Sequence, residues 1–255
     1  MFEVTAELVG LLVLAAFVAG FVDAIAGGGG LITVPALLLA GANPVEALAT
    51  NKLQGSFGSG TAMISYARAG HVRLRDQAGM ALVSLLAGAG GALVAHLIPA
   101  EVLRVIMPVV LVAVALFFAI KPGLSDLDRV QRMGPGMFTL TAVPLIAAYD
   151  GFFGPGTGSF FMLGFILLAG YGVLKATAHT KLLNFASNLG SLAVFVFSGA
   201  TWWAVGLAMA VAQTAGAALG ARLAMRVGSR LIKPLLVTTS TLMAARLLWQ
   251  VWGGA

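Results

Sequence analysis

Apolar runs of membrane-crossing length dominate the chain. A helix rises 1.5 Å per residue, so about 20 apolar residues cross a bilayer. Runs of that order fall at 6–26, 45–67, 76–98, 102–120, 134–151, 173–198, 203–225 and 231–250. Two shorter runs, 31–41 and 159–170, each follow a glycine-rich segment. As a helix the first would be only about 17 Å long. Both are therefore predicted as half-helices or as arms of broken helices. The first long run is preceded by Glu3 and interrupted by Glu7 rather than opening on basic residues. It reads as a retained span, not as a cleaved signal peptide.

The pattern occurs twice. With an offset of 129, Leu38-Leu39-Ala40-Gly41 falls on Leu167-Leu168-Ala169-Gly170, Lys52-Leu53 on Lys181-Leu182, and Gly91-Ala92 on Gly220-Ala221. Upstream the offset is 127, which places Asp23 on Asp150 and Gly27 on Gly154. The difference is taken up inside the glycine segments. Chance explains matched leucines and alanines, but not an aspartate, a glycine segment and a lysine recurring in one order.

Composition agrees with the hydropathy pattern. Of 255 residues 60% are apolar and 9% charged, and the mean hydropathy is +0.99. A soluble domain carries about 25% charged residues. Cysteine is absent, which removes disulfides, thiol chemistry and Cys-ligated metals. The isoelectric point near 10.2 does not point to nucleic acid. Ten of the fifteen Lys and Arg sit in three short clusters between apolar runs, as cytoplasmic loops do.

Those clusters also set orientation. Residues 68–75 carry Arg68, Arg73 and Arg75, while the equivalent stretch 197–204 is uncharged. Residues 222–233 carry Arg222, Arg226, Arg230 and Lys233, while 93–104 has only Arg104 beside Glu101. The centre of the chain has Lys121, Arg129 and Arg132. Equivalent loops thus face opposite sides of the membrane. The expected fold is all-α and integral to the membrane, with two inverted-topology repeats of about five helical segments each. Each repeat includes one short broken helix. Residues 1–120 form the first repeat, 121–133 a cytoplasmic linker and 134–255 the second repeat, with both termini outside the cytoplasm.

Paired broken helices in inverted repeats are a layout of secondary transporters, with the site near the midplane. One constellation is Asp23, Gly28, Gly29, Gly30, Thr33, Asn51, Lys52, Gln54 and Ser56. The other is Asp150, Gly156, Thr157, Gly158, Ser159, His179, Lys181, Asn184 and Asn188. A glycine turn lets a ligand approach the backbone, and a helix starting there presents free N–H groups and a positive dipole end. Two such ends facing each other would bind an anion. The lysines would add charge, and the amides and hydroxyls hydrogen bonds.

Other readings stand beside these. The glycines also suit close helix packing, and the lysines could snorkel to an interface. Asp23 and Asp150 are intramembrane carboxylates, which are costly and usually functional. They would carry coupling protons or pair with the lysines to hold the halves in register. His179 is a candidate proton relay or a polar contact. No metal site and no cofactor is expected.

GFVDAIAGGGGLITVPALL and ATNKLQGSFGS, with the second copy YDGFFGPGTGSF and HTKLLNFASN, resemble the TauE/SafE family over nearly the whole chain. The similarity runs to its bacterial branch of membrane transporters. The resemblance implies secondary transport of sulfite or an organosulfur anion such as sulfoacetate, in the bacterial plasma (inner) membrane. The expected partners are the lipid bilayer and a small sulfur-containing anion, with a homodimer as an allowed state and no nucleic acid. An enzyme is not expected. An intramembrane aspartyl protease would pair Tyr149-Asp150 with a GxGD sequence, but Asp23 sits in a GxxD. A passive anion channel is the closer alternative, since it uses the same architecture.

Overall fold

The computed structural model describes residues 5–120, 127, 128 and 130–228. The run at 231–250 and the basic residues Lys121, Arg129, Arg230 and Lys233 lie outside the described residues. All regular structure among the described residues is helical.

The first half opens with α1, Ala6–Ala26, capped by the Thr5 hydroxyl, which accepts the Leu8 N–H. It stops where Gly27 and Gly28 adopt φ of 79° and 90°, a region that side chains with a Cβ rarely enter. A ten-residue helix, α2 (Gly30–Leu39), follows. It is about 15 Å long, half the thickness of a hydrocarbon core. Next comes α3, Pro44–Arg68, started by a capping box in which Asn43 and Glu46 each accept the other's backbone N–H. A 3₁₀ turn at Leu74–Gln77 leads into α4, Ala78–Leu97, and then α5, Ala100–Ile120.

The second half follows the same plan. The expected span at 134–151 is interrupted: α6 covers Pro135–Leu140 and α7 covers Ala142–Phe152, with Thr141 at φ −121° and ψ −67° between them. Pro144 supplies the reason. It has no N–H for the carbonyl four residues back, and its ring crowds that carbonyl. After Gly154 and Gly156, at φ 93° and 87°, comes α8, Thr157–Leu167. Then come α9, Val173–Ser198, and α10, Trp203–Val227.

Four segments among the described residues are long and apolar enough to cross a membrane: α1, the 3₁₀ turn joined to α4, α9, and α10. With 25 residues α3 is as long as α10, but it carries Asn51, Lys52, Gln54 and Ser56 in its middle, all buried. The outward faces are apolar instead: Leu11, Leu14, Leu82, Leu93 and Leu97 are exposed, and Phe197 is 90% exposed. Such a surface suits lipid rather than water.

The halves interlock. α1 of the first half packs along α10 of the second, and α7 of the second packs along α4 of the first. Likewise α3 packs on α10 and α9 on α4, while α3 and α9 meet at the centre. Each half thus lends its first segment to the other half's fourth. Glycines allow the close approach. A Cβ on Gly216 would lie 2.0 Å from the Phe17 carbonyl oxygen, and one on Gly151 would lie 1.9 Å from that of Gly88. The linker is tied down where Asp128 accepts the Gly172 N–H at 2.7 Å and the Lys175 ammonium at 3.0 Å. These two donors hold the Asp128 carboxyl below the usual carboxylate range.

Candidate functional site

Asp23 stands in the last turn of α1 and Asp150 in the last turn of α7, each just before a glycine break. A carboxylate out of water needs donors or a counter-ion. The opposite half supplies the counter-ion in both cases. Lys52 of α3 donates to Asp150 Oδ1 at 2.8 Å. Lys181 of α9 lies 3.5 Å from Asp23 Oδ2 and also donates to the Asp23 backbone carbonyl. Both lysine side chains are 1% exposed. The third partner differs between the two sites. Asp150 Oδ2 accepts the Ser187 hydroxyl at 2.5 Å, whereas Asp23 Oδ1 accepts the Gly29 N–H at 3.2 Å.

The two glycine breaks touch. A Cβ on Gly27 would lie 2.3 Å from the Ser159 nitrogen, and one on Gly30 would lie 3.1 Å from Pro155 Cα. The N-terminal ends of α2 and α8 are thereby brought together. Ser159 donates to the Ala26 carbonyl at 2.9 Å, satisfying one of the acceptors that the end of α1 leaves open.

A polar cavity of about 30 Å³ lies at this meeting point. Asp23, Gly28, Gly30 and Asn51 line it from the first half, and Asp150, Gly156, Thr157, Gly158, Asn184 and Asn188 from the second. The amides are oriented. Asn51 Oδ1 accepts from the Thr33 hydroxyl at 2.7 Å and from Gln54 Nε2 at 2.9 Å. Asn184 Oδ1 accepts from Asn188 Nδ2 at 3.1 Å. With their oxygens engaged, Asn51 and Asn184 turn their Nδ2 donors toward Gly30 and Gly158.

The remaining sequence candidates lie behind this wall. Lys52 and Lys181 are not among the lining residues; their ammonium groups reach the aspartates instead. Thr33 and Gln54 act through Asn51, Gly29 through Asp23, and Ser56 donates to the Lys52 carbonyl. His179 stands apart. Its ring packs against Tyr171 and Phe165, and its Nδ1 lies 2.8 Å from the Lys175 carbonyl oxygen.

Three residues at the site escaped the sequence reading. Gly55 and Gln213 line the cavity, and Ser187 holds Asp150. A signal existed for Gln213, an amide amid the apolar residues of α10. Ser187 adjoins Asn188, but serine is common enough in membrane helices to carry little signal.

Comparisons with known proteins give the family. The family described as Sulfite exporter TauE/SafE matches residues 12–247. The probable membrane transporter protein ORF9 of Sinorhizobium sp is 57% identical over 248 residues, covering 97% of this chain and 95% of that protein. The probable membrane transporter protein YfcA of Escherichia coli (strain K12) is 44% identical over 253 residues, covering 99% and 94%. A probable membrane transporter protein of Haemophilus influenzae is 41% identical, covering 98% of each. No solved structure matches the chain.

Proposed function

The chain belongs to the sulfite exporter TauE/SafE family and is a multi-pass membrane transporter, and from that premise we propose that it moves a small anion by alternating access. Sulfite, or an organosulfur anion such as sulfoacetate, is the cargo we assign. The observation that carries this reading is the crossed pair of buried salt bridges, Lys52–Asp150 and Lys181–Asp23, beside a cavity where two helix N-termini meet.

With both lysines paired, the site is close to neutral, and a bound anion rests on amide donors and helix ends. Protonation of an aspartate changes that balance. Its lysine keeps a positive charge with no counter-ion, and a nearby anion gains the attraction. Binding of a proton and of an anion would then favour each other, which is what a coupled carrier needs. Because the ion pairs cross between halves, the same event loosens one half from the other. The two halves, related as inverted repeats, would rock about this point and open the cavity to one side at a time.

Each aspartate is engaged by a lysine, an arrangement that favours transport over aspartyl proteolysis, where two carboxylates share a proton. The basic stretches at 68–75, 121–133 and 222–233 support a cytoplasmic position for those loops, with both termini outside, in the bacterial inner membrane.

The test is uptake of radiolabelled sulfite into proteoliposomes. A carrier gives flux that saturates with sulfite and responds to an imposed pH gradient. Flux that stays linear in sulfite and ignores pH identifies a channel instead.

A further inference from the structure

Among the described residues that line the cavity, Gln213 has a buried amide oxygen without a hydrogen-bond partner. It lies midway along α10, is 3% exposed and forms part of the cavity wall. Two glycines make room for it. A Cβ on Gly20 of α1 would lie 2.8 Å from Gln213 Cγ, and a Cβ on Gly58 of α3 would lie 2.6 Å from the same atom and 2.7 Å from Nε2. Neither position admits a side chain while the glutamine crosses between the helices. Its Oε1 is buried and has no hydrogen-bond partner among the described residues. A buried acceptor left in that state costs free energy until something donates to it.

The other half fills the corresponding space differently. Under the offset of 129, Gln213 falls on Ser84 and Gly58 on Ser187. Ser84 donates to the Leu183 carbonyl at 2.7 Å and Ser187 to Asp150 at 2.5 Å. Those hydroxyls are spent inside the protein. Gln213 Oε1, on a residue that lines the cavity, has no such partner among the described residues.

The wall therefore has two characters. Asn51 and Asn184 offer donors, which suit an anionic head. Gln213 Oε1 and the two carboxylates offer acceptors, which a bare oxyanion cannot satisfy. We propose that Gln213 is a specificity-determining residue, accepting a hydrogen bond from a hydroxyl or ammonium group on the cargo. The site then favours sulfonates that carry a donor over those that lack one. This rests on the anion-transport reading above and narrows its substrate class.

The test compares 2-hydroxyethanesulfonate with ethanesulfonate, which differ by one hydroxyl, by calorimetric binding to the purified full chain. Wild-type protein is expected to bind the hydroxylated probe roughly three- to tenfold more tightly, the worth of one neutral hydrogen bond. Gln213→Met should bring the ratio close to one while ethanesulfonate still binds. Gln213→Glu, which keeps an acceptor, should retain the preference and guards against a folding defect in the methionine variant. An unchanged ratio in Gln213→Met overturns the inference. Wild-type protein that takes up sulfite but shows no preference overturns it and leaves the transport reading intact. Wild-type protein that binds neither sulfonate and does not take up sulfite overturns both.

Discussion

Asp23 and Asp150 occupy equivalent places in the two halves, yet they are held differently. Two side chains grip Asp150, with Lys52 at 2.8 Å and Ser187 at 2.5 Å. Asp23 has a more distant lysine carboxylate contact, 3.5 Å, and a backbone N–H at 3.2 Å. Its side chain is also the more open, 11% exposed against 2%. Where the second half places Ser187, the first has Gly58, and Gln213 fills the space above it. One motif has thus yielded a tightly held carboxylate and a looser one. The tight pair is suited to joining the halves, and the loose one to exchanging a proton.

The largest effect should come from the glycine breaks themselves. Gly27→Ala would force a Cβ into the backbone of Gly158 and Ser159 at positive φ. Gly154→Ala carries the same positive-φ strain, but its Cβ meets chiefly the Lys52 ammonium at 2.9 Å, the end of a flexible side chain, rather than backbone. We expect Gly27→Ala to abolish recovery of monodisperse protein on size-exclusion chromatography, and Gly154→Ala to leave folded protein with impaired uptake. Equal recovery of the two would remove this contrast between the halves.

The ion pairs come next. Lys52→Met leaves Asp150 buried without its cation and should cost about 3–5 kcal/mol of stability, the range for breaking a buried pair. Lys181→Met should cost less, because its contact with the carboxylate is longer, 3.5 Å against 2.8 Å, and the Asp23 side chain is the more exposed. Thermal unfolding in detergent gives the order. A larger loss for Lys181→Met would reverse the assignment of tight and loose sites. Ser187→Ala removes one charge-assisted hydrogen bond and should cost about 1.5–3 kcal/mol.

The smallest effect should be at the linker. Asp128 is held below the usual carboxylate range by Gly172 and Lys175. Its contribution to stability is therefore present above the unfolded carboxylate value and lost as pH falls through the lower folded value. The pair is exposed, so Asp128→Asn should change stability by less than about 1 kcal/mol. A thermal melt near neutral pH checks the size, and its convergence with wild type in acid checks the sign.

The helices were legible in the sequence because apolar runs and glycine breaks are local signals. The end of α1 at Ala26 and the short α2 follow directly from Gly27 to Gly30. The break at Thr141 was also encoded, in Pro144, but the apolar run conceals it. The site was half legible. Asp, Asn and Gly positions near the breaks line the cavity. That the lysines pair with aspartates 98 and 158 residues away was one of two open readings, because nothing local distinguishes a lysine aimed at an anion from one aimed at an aspartate. His179, read as a proton relay or a polar contact, packs its ring against Tyr171 and Phe165.

The most direct test of the central claim, that crossed aspartate–lysine pairs couple anion movement to protons, is sulfite flux into proteoliposomes with and without a pH gradient. Wild type, Asp23→Asn and Asp150→Asn would be measured side by side. The gradient should accelerate wild-type flux, and Asp23→Asn should keep saturable flux but lose the acceleration. Gradient-driven flux in Asp23→Asn equal to that of wild type would contradict that claim.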